Sequence, residues 1–343
     1  MTLSARDRSI LAAYQTHGEE PIRTTAKLTQ VRSHIARRTI LRASQERILE
    51  RRVFTNIFDL GLQQYTLILS FDAKSQEQRN QVETTLRNAP YVEVVLEIES
   101  TDTHQFYIVV TVEHISALEN FFQHVRCTSG VELRATRMQI RSGWYFFGTK
   151  SLDSQYIPPP IHITRTHQHI ALSAEDLKVL EVFASSPNGV RTQVARTLGM
   201  PLMTLQYRIE RLERLGVLRG VRYVVSACAL NYRRFRCLIV ANTPLGSQRL
   251  QLYEWARNHP YVVSMMYGVG NWHYELRIES PDQAAAEHLV SELVSTFADF
   301  IHYSDLVPIG SLLKFAPHPD YTAFEASRTD FSREYVSPSQ LVG

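Results

Sequence analysis

Hydrophobic positions in the second half of the chain follow two different periods. Between residues 172 and 216 they recur at helical spacing. Leu177, Leu180 and Ala184 share one face of a first segment, and 191–198 makes a short second one. Leu205, Ile209 and Leu212 fall at i, i+4 and i+7 of a third. Ser173 followed by Asp176 is an N-cap signature, and Leu172 and Leu177 are placed as a hydrophobic staple. Gly199 and Gly216 stand where the second and third helices must end, each able to take a left-handed turn. Residues 217–223 then read as a β-wing. Three helices, a glycine turn and a wing make a winged helix-turn-helix, whose third helix enters the DNA major groove.

Beyond residue 226 the period changes. Residues 235–242 alternate as a strand, 247–258 are helical, and 261–269 and 274–279 form two strands joined at Gly270-Asn271. Ser280-Pro281-Asp282-Gln283 reads as an N-cap serine, a proline at the first helical position and a capping-box glutamine. A last strand is 301–307. The order βαββαβ is the ferredoxin-like module. The first half carries the same pattern in 65–71, 76–88, 91–98, 106–112 and a closing 144–148. Leu3-Ser4-Ala5-Arg6-Asp7 aligns with Leu172-Ser173-Ala174-Glu175-Asp176, and Arg87-Asn88-Ala89-Pro90-Tyr91-Val92 with Arg257-Asn258-His259-Pro260-Tyr261-Val262. The expected fold class is α+β, with two copies of a winged helix-turn-helix followed by a ferredoxin-like domain. The boundaries are 1–58 and 59–150, a Pro-rich linker or strap at 151–171, then 172–226 and 227–316, and a tail at 317–343. The first helix-turn-helix is degenerate, with Gln30 and Val31 where Gly199 and Met200 stand.

Composition narrows the class. The 343 residues are 44% hydrophobic and 21% charged, which permits a sizeable core and excludes collagen and low-complexity disorder. No apolar run approaches the roughly 18 residues that span a bilayer, and the first residues lack the apolar core of a secretory signal. A soluble cytoplasmic protein with no membrane partner is expected. Cys127, Cys228 and Cys237 are an odd set without C-x-x-C spacing, so reduced thiols and no zinc site are expected. His162, His167 and His169 lack ligand spacing, and neither a metal nor a cofactor is expected.

Net charge is only +3, but unevenly placed. Residues 1–52 hold eleven Lys and Arg against five acids, and 172–222 hold eight against five. Basic blocks on two helical units point to double-stranded DNA. On the third helix of the second copy, Tyr207, Arg211 and Arg214 lie opposite the buried stripe, with Thr204 and Arg208 at its edges. Arg219 and Arg222 lie on the wing, and Arg38 and Arg42 sit one turn apart in the first copy. Residues early in such a helix read base edges, and arginines farther along hold phosphates.

The run Arg208-Ile209-Glu210-Arg211-Leu212-Glu213-Arg214-Leu215-Gly216-Val217-Leu218-Arg219-Gly220 resembles the recognition-helix and wing junction of the Lrp/AsnC (feast/famine) transcription regulators. Gly268-Val269-Gly270-Asn271-Trp272-His273-Tyr274 is similar to the glycine turn of that family's effector-binding RAM domain. Tandem-repeat members are the nearest analogues. The resemblance implies a sequence-specific regulator, with a small effector (often an amino acid) at Gly268, Gly270, Asn271 and His273. It also implies pairing of the ferredoxin-like domains, as an intrachain pseudo-dimer, a homo-oligomer or both, and an asymmetric DNA site. Two positions depart from the family: Pro201 replaces the usual N-cap serine, and His273 replaces an acidic residue. Siroheme decarboxylases also look like paired or fused AsnC-type copies, and His104 and His273 fall near the corresponding turn. Glu275, however, follows Tyr274 where their pattern has Asn, and no HExxH, GxSxG or P-loop occurs. The main expectation is therefore a DNA-binding regulator with no catalytic residues. A decarboxylase-like enzyme and a non-DNA-binding interaction protein stand as alternatives.

Overall fold

The computed structural model describes residues 3–89, 91–100, 104–166, 169–187, 189–242 and 246–316. The chain begins with α1 (Ala5–His17), α2 (Ile22–Leu28), α3 (Ser33–Gln45) and β1 (Leu49–Thr55). It continues through β2 (Gln63–Phe71), α4 (Gln76–Asn88), β3 (Val92–Ile98), β4 (His104–Val112), α5 (Ile115–Ser129) and β5 (Leu133–Phe146). After β6 (Ile161–Thr164) the same order returns. It runs α6 (Ala174–Ser185), α7 (Arg191–Leu198), α8 (Leu202–Arg214), β7 (Leu218–Val225), β8 (Arg233–Ala241) and α9 (Gly246–Asn258). It ends in β9 (Val262–Gly270), β10 (Tyr274–Ser280), α10 (Gln283–Thr296) and β11 (Ile301–Phe315). The architecture is α+β: two three-helix units, each followed by a ferredoxin-like βαββαβ arrangement.

Local chemistry starts and stops these helices. The Ser4 side chain accepts the Asp7 N–H while the Asp7 carboxylate accepts the Ser4 N–H, a complete capping box. Ser173 accepts the Asp176 N–H in the same way at α6. α7 ends at Gly199 with φ +64°. Gln30, at the matching place after α2, holds φ +54° without being glycine. Its backbone bonds repeat those of the glycine turn: Val31 N–H to Ala26 O at 3.0 Å, as Met200 N–H to Ala195 O at 3.0 Å. The first turn therefore survives the loss of its glycine. At α10 the cap is Asp282, whose carboxylate accepts from Ala285 N–H, and not Ser280. Ser280 is still paired with Arg233 in the β10–β8 ladder, so the chain cannot turn until Pro281.

The two closing strands are much longer than the sequence pattern suggests, and they join the halves. β5 lies beside β2 of its own half over Leu133–Arg141 and beside β9 of the other over Gln139–Phe146. β11 likewise runs along β8 and then β3. The order β2-β4-β3-β11-β8-β10-β9-β5, with β5 returning to β2, is a closed antiparallel ring, and β6 adds to β5 as a ninth strand. Closure removes free sheet edges. Alternate residues face outward to the helices: Leu67, Phe106 and Val110 pack with Leu118 and Phe121 of α5. Leu276 and Ile239 pack with Leu252 of α9 and Leu293 of α10. The residues between them face inward, where Ile68, Tyr107, Leu238 and Trp272 form a separate interior cluster.

Two other expectations change. The segment read as a wing pairs as β7 with β1 of the first unit, Arg52 opposite Arg222, in a two-stranded ribbon that ties the helical units together. The Pro-rich linker contributes β6, with Gly143 opposite Thr164. Because Gln30 is exposed and carries a left-handed backbone, Gln30→Gly is expected to stabilise the first helical unit by about 0.5–1 kcal/mol, measured by urea or thermal denaturation.

Candidate functional site

α8 buries Leu205, Ile209 and Leu212 against its unit and leaves the opposite face in solvent. Met203 is 75% exposed and Tyr207 60%, with Thr204 and Arg214 also exposed. Pro201 stands at the N-cap with φ −60° and ψ 143° and supplies no side-chain cap. Arg208 and Arg211 do not project with this face as expected. Arg208 Nη1 donates to Asp176 Oδ1 at 2.7 Å, its Nη2 donates to Glu175, and Arg211 donates to Asp176 Oδ2. The reason is burial: Asp176 is fully enclosed in the first turn of α6, and a buried carboxylate must be paired. The two arginines therefore brace α8 across α6.

The first unit has a weaker version of this clamp. Thr39 Oγ1 donates to Asp7 Oδ1 at 2.9 Å, and Arg42 lies 3.2 Å from Asp7 Oδ2. Burial raises the Asp7 carboxyl, but hydrogen bonds from Ser4 and Thr39 and the charge of Arg42 hold it below its ordinary value. Arg38 is exposed on α3. On β7, Arg219 is exposed, whereas Arg222 donates to the Val221 and Pro159 carbonyls. Thr204, Tyr207 and Arg214 thus share an open face, Arg214 reaching only the Glu210 carbonyl of its own helix, while Arg208, Arg211, Arg42 and Arg222 are tied to other elements or carbonyls of the chain.

The glycine turn has an internal occupant. A Cβ at Gly268 would stand 2.0 Å from Ile140 O, and one at Gly270 2.2 Å from Met138 O. Asn271 accepts from Met138 N–H at 2.7 Å and donates its own N–H to Met138 O at 2.8 Å. His273 Nδ1 accepts the Ala241 N–H at 3.0 Å. Gly268, Gly270 and Asn271 seat β9 flush against β5, and the glycines answer to that close approach, whereas His273 is tied to β8. In the first copy, His104 begins β4 with its ring edge-on to Phe106, and Thr101–Thr103 of the corresponding turn lie outside the described residues.

A cavity of about 210 Å³ opens inside the strand ring, bounded also by β1. Arg52, Arg141, Arg234, Arg236 and Arg277 reach its wall, with Glu93 the one carboxylate among the lining residues. Arg141 donates to Gln64 Oε1 at 2.5 Å and Thr66 Oγ1 at 2.6 Å, and lies 3.3 Å from Tyr107 Oη. Tyr107 donates to Glu275 Oε1 at 2.6 Å, and the Arg236 guanidinium sits 4.9 Å from the centre of the Tyr107 ring. Arg52 covers Phe315, and Arg277 pairs with Glu279. Burial above all, and then Glu275, pushes the Tyr107 hydroxyl up to about 12. Burial also drives Glu93 up to about 7, against the opposing influence of Thr111, Arg141 and Gln64. None of these residues was read as a site residue from the sequence, because they are scattered over eight strands. The one available signal was arginine at inward positions of apolar strands, as in Phe235-Arg236-Cys237 and Leu276-Arg277-Ile278.

Two outcomes follow from these charges. Asp176→Ala leaves Arg208 and Arg211 without their shared acceptor and is expected to cost the second helical unit about 2 kcal/mol, read as faster amide exchange in α6–α8. Glu93 binds its proton more tightly folded than unfolded, so it makes stability fall as pH rises from about 4.5 through 7. Glu93→Gln is expected to remove that slope and to be more stable than the parent at pH 8 by on the order of 1–2 kcal/mol, measured by denaturant titration at several pH values.

Comparison with known proteins extends these observations. The family described as "Bacterial regulatory protein, Fis family" matches residues 178–212, which run from within α6 to within α8 and form a helix-turn-helix. No curated protein matches the chain in sequence. The crystal structure of the siroheme decarboxylase NirDL is similar to this chain with a TM-score of 0.58 and 13% identity, covering 96% of this chain and 99% of that one. The same enzyme in complex with an iron-uroporphyrin III analogue gives 0.60 and 14%, with the same coverage. An AsnC family transcriptional regulator from Agrobacterium tumefaciens covers 44% of this chain and 99% of its own, at 18% identity and a TM-score of 0.39. The fold likeness to NirDL thus extends over 96% of this chain.

Proposed function

We propose that the chain is a DNA-binding transcriptional regulator of the Lrp/AsnC type, in which two helix-turn-helix units ride on one strand ring that holds a small ligand. The observation that carries this reading is the solvent face of α8. Met203, Thr204, Tyr207 and Arg214 stand open on a helix whose other side is fully packed, the first three within the segment that matches the Fis family and Arg214 two residues beyond it. Thr204 and Tyr207 occupy the first half of the helix, where side chains reach base edges, and Arg214 its end, where phosphates lie. Arg38 on α3 and Arg219 on β7 are exposed cations that can add phosphate contacts. Arg208 and Arg211 contribute by fixing α8 on α6. The two units differ in sequence, so an asymmetric DNA site is expected in place of a palindrome.

A second reading is an enzyme acting on a tetrapyrrole. It is supported by the full-length fold likeness to siroheme decarboxylase and by the arginine-rich interior of the ring. His104 and His273 do not line that interior, so proton transfer in this reading falls to Glu93 or Tyr107.

Selection of bound duplexes from random DNA, followed by salt titration, tests the first reading. Thr204→Ala with Tyr207→Ala is expected to cost roughly 1–3 kcal/mol of specific affinity and relax the selected motif. Arg214→Ala is expected to weaken all sequences alike and flatten the salt slope by about one. Absence of duplex binding at low salt, together with loss of carboxyl groups from iron-uroporphyrin III, would replace it with the second.

A further inference from the structure

We infer that the arginine-lined hollow inside the strand ring is a binding site for a compact, ring-bearing dicarboxylate. The inference goes beyond the DNA-binding reading and does not rest on it. Guanidinium groups are seldom drawn into a β-ring without an anion to meet them, because desolvating them is costly. Arg141 and Arg236 are 6% and 9% exposed, yet Arg141 Nε and both Nε and Nη1 of Arg236 make no hydrogen bond among the described residues. Arg52 Nε is likewise without one. Arg141 and Arg236 flank Tyr107, Arg277 stands opposite Arg236 in the β10–β8 ladder, and Arg52 lies near Arg277 and over Phe315. Glu275, Glu50 and Glu279 stand behind Arg236, Arg52 and Arg277, while Arg141 and Arg234 bond only to neutral groups. Positive charge therefore remains at two separate points of the wall, Arg141 on β5 and Arg234 on β8, strands that are not neighbours in the ring.

The wall also carries apolar side chains, Phe54, Trp144, Phe146, Met266 and Leu312 among them. A ligand with an acidic group at each end and a flat carbon body between them satisfies both features. Carboxylate is favoured over phosphate, because phosphate sites draw on free backbone amides at helix N-termini or nests, whereas here the lining amides belong to strands. Size sets the scale. A cavity of about 150 Å³ admits benzene, and drug-sized ligands occupy roughly 300–1,000 Å³. At about 210 Å³ the hollow suits one or two rings and is small for a tetrapyrrole. Glu93 adds a condition. Arg141 faces it from β5, Gln64 from β2 and Thr111 from β4, with Arg52, Arg234, Arg236, Arg277 and Tyr107 also around the cavity. Protonated, it can donate to a bound carboxylate, and ionised, it repels one.

The test is calorimetry on the full chain with benzene-1,3-dicarboxylate as probe, against benzoate, inorganic phosphate, the amino acids and iron-uroporphyrin III. The dicarboxylate is expected to bind at least tenfold more tightly than benzoate or phosphate, and several-fold more tightly near pH 6 than near pH 8. Glu93→Gln is expected to abolish that pH difference, and Arg236→Gln to weaken binding about tenfold or more. Should Arg236→Gln fail to fold, Arg234→Gln at the same wall serves in its place, with its thermal transition as the control. The inference is overturned if benzoate or phosphate matches the dicarboxylate, if arginine removal leaves affinity unchanged, or if iron-uroporphyrin III alone binds. That last result supports the enzyme reading. DNA retention is scored separately, so failure of the regulator reading leaves the ligand result standing.

Discussion

The structure depends on the exchange of its two closing strands. The ferredoxin-like sheet of the first half, in the order β5-β2-β4-β3, has one open edge beyond β5 and another beyond β3, and each would invite pairing with a foreign strand. Here β5 covers β2 and continues onto β9, while β11 covers β8 and continues onto β3. Each half therefore closes the edge of the other. The same exchange creates the interior, since side chains that would lie on an exposed sheet face become the wall of a ring. The glycines at 268 and 270 belong to this seam, because any Cβ there would collide with the β5 backbone.

Charge is buried in this chain in two ways with different consequences. In the helical units a carboxylate is enclosed and its neighbours supply the donors: Asp176 takes Arg208 and Arg211, and Asp7 takes Ser4, Thr39 and Arg42. These clusters are close to satisfied and hold helices together. In the ring the enclosed groups are mostly cations, and several of their donors make no hydrogen bond among the described residues. A buried group left partly unpaired is expensive, and it signals a site more clearly than a satisfied one. The ribbon of β1 and β7 lies between the two kinds. Arg51 donates to Phe183 O and Ser186 O in the second helical unit, and its neighbour Arg52 lines the cavity.

The helical units were legible in the sequence because their information is local. Ser173 caps α6, Gly199 ends α7 in a left-handed turn, and Leu205, Ile209 and Leu212 are the buried stripe of α8, all at the expected positions. The βαββαβ order was legible for the same reason, through changes of period and turn residues. Errors arose where a distant partner decided the outcome. Ser280 looked like a cap but remained in a ladder with β8, and residues 217–223 looked like a free wing but found β1. Arg208 and Arg211 have the spacing of an outward basic face, and only the burial of Asp176 turns them inward.

What the sequence determined by itself was each element's type, its caps and the side it would bury, because these follow from spacings within one or two turns of chain. Only the tertiary structure decided which strands close the ring and which arginines meet inside it. Arg52, Arg141, Arg236 and Arg277 are separated by as many as 225 residues, and no periodicity within a segment records that they share a wall. Their meeting depends on strand register across two halves of the chain. A one-residue slip would turn each of them to the outer face.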